Sequence, residues 1–338
     1  MSTPPLVKRL LPPLSLIALL FCPAQVAGQT APAEGDSLPT REGHFTGADG
    51  VQLYYRLVGS GTDTVVVLHG GPGTGMREGF DLEGLSGRGH ALLLYDQRGA
   101  GQSELVSSAA RLTLAAHVAD LEALRRHFRF TRLSLVGLSW GSAIALHYAI
   151  AHPGATDRLV FLSPLPPTGR FFVQRFARLD SLRPADVRVR LRTIDSLWSG
   201  AGDAELVSLC RENARATEPA YQESRNGPRG DSCDYPAQVL RHRRLARVAA
   251  MTALGAEYDF AAALRRLTGS VLVIDGDRSK LPLEATRYWV RHAGNARLLL
   301  LANSGHRTWI DRPEALVAAI DIFLRGDWPP RAQKISQE

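Results

Sequence analysis

The sequence predicts an α/β fold in which a mostly parallel central sheet carries helices on both faces. Three observations lead there. Apolar, β-branched runs recur along the chain without polar alternation, as strands covered on both faces require. Stretches of helical period separate them, the rhythm of a parallel sheet with crossover helices. Residues 166–265 break that rhythm, with helical periods and many arginines but no strand-like run, so they read as one mostly helical lid inserted between core strands.

The elements follow in order. "VQLYYRLVG" (51–59) alternates like a strand with one wet face, whereas "DTVVVLHGG" (63–71), "HALLLYDQRG" (90–99) and "RLSLVGLSWG" (132–141) are continuous apolar runs. "DRLVFLSPL" (157–165), "GSVLVIDGD" (269–277) and "ARLLLLANSG" (296–305) complete the series. Helices are expected over 112–128, 142–152, 281–293 and 312–324, the last with Pro313 in its first turn, where the missing N–H costs nothing. The prolines of "SPLPPTG" (163–169) stop strand and helix alike and suit a hinge into the lid. The core is therefore expected over 43–165 and 266–327, the lid over 166–265, and a tail over 328–338.

The composition is that of a globular enzyme-sized chain, with 338 residues, 45% hydrophobic and 22% charged. The formal charge of +7 is almost all arginine, spread among acids, with lysine only at Lys8, Lys280 and Lys334. No basic run with interleaved aromatics and no nucleic-acid motif occurs, so nucleic acid is not an expected partner. Lys8 and Arg9 precede "LLPPLSLIALLFC" (10–22) and then a small-residue stretch, the pattern of an export signal over 1–28 followed by a polar leader over 29–42. The apolar run is too short and too broken by proline to span a bilayer. An exported chain, periplasmic or secreted, is the first expectation, and a lipid anchor on Cys22 the second. With Cys22 removed, Cys210 and Cys233 remain, and an even pair in an oxidising compartment suggests one disulfide.

The chemistry gathers at strand ends. "GLSWG" (137–141) is a Gly-x-Ser-x-Gly turn between a predicted strand and a predicted helix, which lifts the hydroxyl of Ser139 to the sheet's C-terminal edge as a nucleophile. "NSGHRTW" places His306 past a late strand, where it can act as the base. The acid that orients the imidazole should lie between them in the chain. "VIDGDRSKLP" offers Asp275 and Asp277, and Asp277, one residue beyond Gly276 and free of the strand, is the preferred choice. "HGGPG" (69–73) strips the main chain of side chains at another strand end. An acyl-transfer intermediate needs two N–H donors for its oxyanion, and Gly71 and Trp140 are the natural pair, since Pro72 has no N–H.

Together these pieces resemble the α/β-hydrolase fold and, within it, the proline iminopeptidase family of serine aminopeptidases. The markers are "HGGPG" (69–73), "YDQRGAGQS" (95–103) and "GLSWGS" (137–142), and the resemblance covers roughly 45–165 and 266–327. It implies a triad of Ser139, an aspartate and His306, an oxyanion hole of Gly71 and Trp140, and a structural role for Asp96, Arg98 and Gly99 in the loop beside the site. The family's aspartate position, three residues after the strand's glycine, falls here on Ser279, and a shortened loop after Gly276 would bring Asp277 into register. The family binds the substrate's α-ammonium with lid acids, for which Glu205 and Glu212, seven apart, are the candidates. The resulting expectation is an acyl-enzyme hydrolase without cofactor or metal, releasing an N-terminal proline or similar residue from short peptides. An esterase or amidase acting on small acyl compounds is the alternative, and a non-catalytic binding protein on the same scaffold is the third reading.

Overall fold

A computed structural model describes Met1 and residues 38–77, 82–223 and 231–336. The rest of the expected export signal, with Cys22, and the leader as far as residue 37 lie outside the described residues.

Eight strands form one sheet: β1 (Thr40–Thr46), β2 (Gln52–Val58), β3 (Asp63–Leu68), β4 (His90–Tyr95), β5 (Leu133–Leu138), β6 (Thr156–Leu162), β7 (Val271–Gly276) and β8 (Ala296–Leu301). Their order across the sheet is β1-β2-β4-β3-β5-β6-β7-β8. The pairs β1–β2 and β2–β4 are antiparallel and all others parallel. Among the described residues the helices are α1 (Leu114–His127), α2 (Trp140–Ala151), α3 (Gly169–Ser181), α4 (Ala185–Leu197), α5 (Asp203–Thr217), α6 (Ala237–Leu254), α7 (Ala261–Arg265), α8 (Leu283–His292), α9 (Thr308–Asp311) and α10 (Pro313–Leu324). None is long and apolar enough to cross a membrane.

Every apolar run read from the sequence is a strand, because burial on both faces leaves no position for a polar residue. Val66, Leu93, Leu135 and Phe161 pack on one face beneath α1, α2 and α8. Val65, Leu92, Val136 and Val160 pack on the other beneath α10. Thr113 caps α1 by accepting the Ala116 N–H at 3.2 Å, and Arg125, Arg126 and His127 close its last turn, where the helix dipole favours positive charge. β1 departs from expectation. It starts at Thr40, inside the stretch read as leader, and "TREGHFT" has only Phe45 buried. A sheet-edge strand needs no apolar run, only backbone pairing to its neighbour, so its sequence carries almost no signal.

The strand order decides where a site can form. From β3 the chain runs to β4 on one side, while β5 lies on the other, and ligands bind at such a switch point outside the strands' carboxyl ends. Leu68 of β3 pairs with Gly137 of β5, so "HGGPG" and "GLSWG" emerge side by side. α2 can approach this closely because Gly141 has no side chain: a Cβ there would lie 2.3 Å from the Leu68 carbonyl oxygen. Helices α3 to α7 lie between β6 and β7. Several of them share a small core of their own, including Ile194, Leu206, Leu209, Tyr235 and Leu240. Cys210 of α5 and Cys233 form a disulfide in that core.

Candidate active site

Ser139 sits at the turn from β5 into α2 with φ 48° and ψ −111°, a backbone that L-residues rarely adopt. The turn is held through main-chain atoms. The Ser139 N–H donates to Leu162 O at 3.1 Å, and the Ser139 carbonyl accepts from the N–H groups of Ser142 and Leu165. This is the strained strand-to-helix elbow the motif predicted. Trp140 opens α2, so its N–H has no carbonyl one turn back in the helix.

The glycine-rich loop is fixed just as firmly. His69 is buried, and its Nε2 accepts the Gln97 N–H at 3.0 Å, so the ring proton is on Nδ1 and donates to Gly70 O at 2.7 Å. Burial lowers the pKa of His69 to about 4, keeping it neutral. Thr74 Oγ1 donates to the same carbonyl at 2.9 Å. With Gly70 O held inside the loop, the planar trans peptide turns the Gly71 N–H the opposite way, and Gly71 lines a cavity together with Ser139. "DQRG" braces this arrangement, as the family resemblance implied. Arg98 is buried and paired with Asp120 at 2.6 Å, and Asp96 accepts the N–H groups of Met76 and Gln102 at 2.6 and 2.7 Å. Burial nevertheless raises the pKa of Asp96 to about 6.

His306 follows β8 and lines the same cavity as Ser139. Its carbonyl accepts from Ser163 Oγ at 2.6 Å. The structure places Asp275 beside the ring and not Asp277: Asp275 Oδ1 lies 3.6 Å from His306 Nδ1, and both residues are buried. That separation is long for a hydrogen bond, yet no described side chain or backbone group bonds Nδ1 more closely. Asp275 is oriented by Thr286 Oγ1 of α8, which donates to Oδ2 at 2.8 Å, and by the Gly276 N–H at 2.9 Å. Asp277 is exposed and, among the described residues, accepts only a long contact from the Ser304 N–H at 3.4 Å. The reason lies at Gly276. A Cβ there would stand 2.0 Å from Gly305 O and 2.1 Å from Ser304 O, so the loop carrying His306 crosses directly over this glycine and sets the ring above the residue before it. Ser279 takes no part in the cavity, and no shortened loop is needed.

The lid acids are also corrected. Glu205 is exposed, and Glu212 forms a two-pronged pair with Arg190 at 2.6 and 2.8 Å, which lowers its pKa. Neither lines the cavity. α5 turns Asn213 and Thr217 towards it instead, a pair four apart and so on one helix face. Sequence reasoning missed Arg175 of α3, whose Nη2 lies 3.3 Å from His306 Nε2. It also missed Thr286, which orients Asp275. A lone arginine or threonine in a helix gives no signal of either role.

His306 is held below the ordinary imidazole pKa, chiefly by burial and then by the neighbouring Arg175 guanidinium, with Asp275 opposing both. An imidazole must be neutral to take a proton, so the lowered value extends the competent form to lower pH. The rising limb of kcat/KM against pH is expected to have its midpoint below about 6.5, the unperturbed value. In Arg175→Ala that midpoint is expected to move upward. A wild-type midpoint above 6.5 would contradict the assignment.

With this geometry in place, the class is plain: a model of the alpha/beta hydrolase family matches residues 65–319, and the chain belongs to that family. Among curated relatives it is 39% identical to a putative proline iminopeptidase of Mycoplasma pneumoniae over 132 residues, covering 38% of this chain and 41% of that protein. It is 29% identical to the proline iminopeptidase of Lactiplantibacillus plantarum over 294 residues, covering 82% of this chain and 98% of that one. Among solved structures, the proline iminopeptidase of Mycobacterium smegmatis superposes with a TM-score of 0.63 at 19% identity, over 84% of this chain and 98% of that one. An esterase from Exiguobacterium antarcticum superposes equally well, at 0.63 and 17% identity, over 85% and 100%.

Proposed function

We propose that the protein is a serine hydrolase working through an acyl-enzyme, with Ser139 as nucleophile, His306 as base and Asp275 as the acid that orients the ring. The observation that carries this reading is the strained Ser139 elbow and buried His306 lining one cavity, with Asp275 facing Nδ1. Ser139 Oγ attacks the substrate carbonyl carbon while its proton passes to His306 Nε2. The N–H groups of Gly71 and Trp140 meet the oxyanion, and the Nε2 proton then leaves with the departing amine or alcohol. Water attacks the acyl-enzyme by the same route in reverse.

The relatives' names support release of an N-terminal proline as the first activity to assay. A specific observation favours the second reading, an esterase or amidase on acyl compounds: no aspartate or glutamate is found among the described residues lining the cavity, so they offer a free α-ammonium no carboxylate. The test of the common mechanism is labelling by a fluorophosphonate probe. Stoichiometric labelling at Ser139, lost in Ser139→Ala, is expected. An intact chain that resists the probe would leave the non-catalytic binding reading in its place.

A further inference from the structure

Resting on the serine-hydrolase reading, we propose that the cavity selects substrates carrying an anionic group, a carboxylate above all, through Arg175, Arg247 and Arg307. These three guanidinium-bearing residues line a cavity of about 260 Å³ together with Ser139 and His306. They come from three separate elements: α3, α6 and the loop after β8. Arg175 and Arg307 both lie against the Tyr221 ring, with their guanidinium carbons 5.4 and 5.7 Å from its centre, so two positive charges share one ring. Arg307 Nη1 donates to Gln222 Oε1 at 3.3 Å and has Glu218 as its nearest carboxylate, at 3.9 Å, and among the described residues neither Arg175 nor Arg247 has a carboxylate within 4.0 Å. Four other arginines of the insertion differ. Arg190, Arg211, Arg241 and Arg244 each have a carboxylate partner at 2.6 to 2.9 Å. Among the described residues, the three cavity arginines thus have no carboxylate closer than 3.9 Å.

The contact between Arg175 and His306 gives this charge a further use. Nδ1 faces the Asp275 carboxylate, so Nε2 carries the lone pair and accepts the Arg175 N–H at 3.3 Å. That lone pair is the one the serine proton needs. A carboxylate is a stronger acceptor for a guanidinium than a neutral imidazole. A bound anion therefore draws Arg175 away and frees the base, whereas a neutral or cationic substrate does not.

The test uses the full chain and four substrates: p-nitrophenyl butyrate, mono-p-nitrophenyl glutarate with the anion on the acyl side, 4-butyryloxybenzoate with the anion on the leaving side, and proline-β-naphthylamide. At low salt at least one anionic ester is expected to exceed the neutral one in kcat/KM by about tenfold or more, with the advantage shrinking as salt screens the arginines. Which ester gains tells which end of the substrate the arginines hold. In Arg247→Ala, at an exposed position of α6, the ratio of anionic to neutral rates should fall towards one, and Arg247→Lys should restore part of it. Equal rates for neutral and anionic esters, or preference for the cationic prolyl substrate, would overturn the proposal. Calorimetric titration of Ser139→Ala with the same esters keeps the two readings apart. Tighter binding of an anionic ester without turnover by the native chain would leave charge selection standing and remove the nucleophile assignment. Turnover of every ester with no charge preference in either measurement would do the reverse.

Discussion

Ser139→Ala is expected to lower kcat for any ester or amide the protein cleaves by about 10,000-fold or more, since removing the nucleophile of a triad leaves only binding and oxyanion stabilisation. The fold should be untouched. Among the described residues, the hydrogen bonds to Ser139 all run through its main-chain N–H and carbonyl. Serine already carries a Cβ at φ 48°, so alanine adds no new crowding there. Thermal unfolding should shift by no more than a few degrees. Initial rates on p-nitrophenyl esters and a calorimetric scan together check both halves. Residual activity within tenfold of wild type would send the search for a nucleophile elsewhere.

The second large effect separates two aspartates that stand two residues apart. Asp275→Asn puts an amide beside His306 Nδ1 and favours the wrong tautomer or ring pose, so a loss of about 1,000- to 10,000-fold in kcat is expected. Asp277→Asn touches only the backbone of Ser304 through a 3.4 Å contact and should stay within about threefold of wild type. Parallel kinetics on the two variants suffice. The opposite ranking would restore the acid expected from the sequence. Thr286→Val, which removes the hydroxyl holding Asp275, should fall between the two, with a loss in kcat more than in substrate affinity.

Those two aspartates also mark how far the sequence could be read. Strands β3 to β8 were legible because a doubly covered strand must be apolar throughout, and Ser139 was legible because its two glycines are forced by close packing, Gly141 against β3 and Gly137 against the first turn of α2. His306 was found from topology alone. Asp275, the carboxylate beside His306, was the second choice of the two because its placement depends on a different loop: the one after β8 crosses Gly276, and nothing near Asp275 in the sequence announces that crossing. The helices between β6 and β7 were harder still. Glu205 and Glu212 satisfied a spacing rule, but a rule for sharing a helix face does not say which way the face looks, and α5 points Asn213 and Thr217 inward. Arg175 acts across 131 residues of chain on a histidine in another element, a relation that only folding creates. The cysteine pair was legible because Cys22 falls in the stretch read as an export signal, which leaves one pairing.

That cross-link has a consequence for how the cavity is kept. One cysteine belongs to α5, which supplies Asn213 and Thr217, and the other stands just ahead of α6, which supplies Arg247 and Met251. Two walls of the cavity are therefore tied covalently, while Ser139, Asp275 and His306 hang from a sheet with its own packed core. Cutting the tie removes about 3 kcal/mol of constraint on the unfolded chain, and in the folded chain it frees the cavity walls and not the sheet. A thiol reductant would then act as a dimmer on ligand capture, fading affinity well before the reacting groups lose their places.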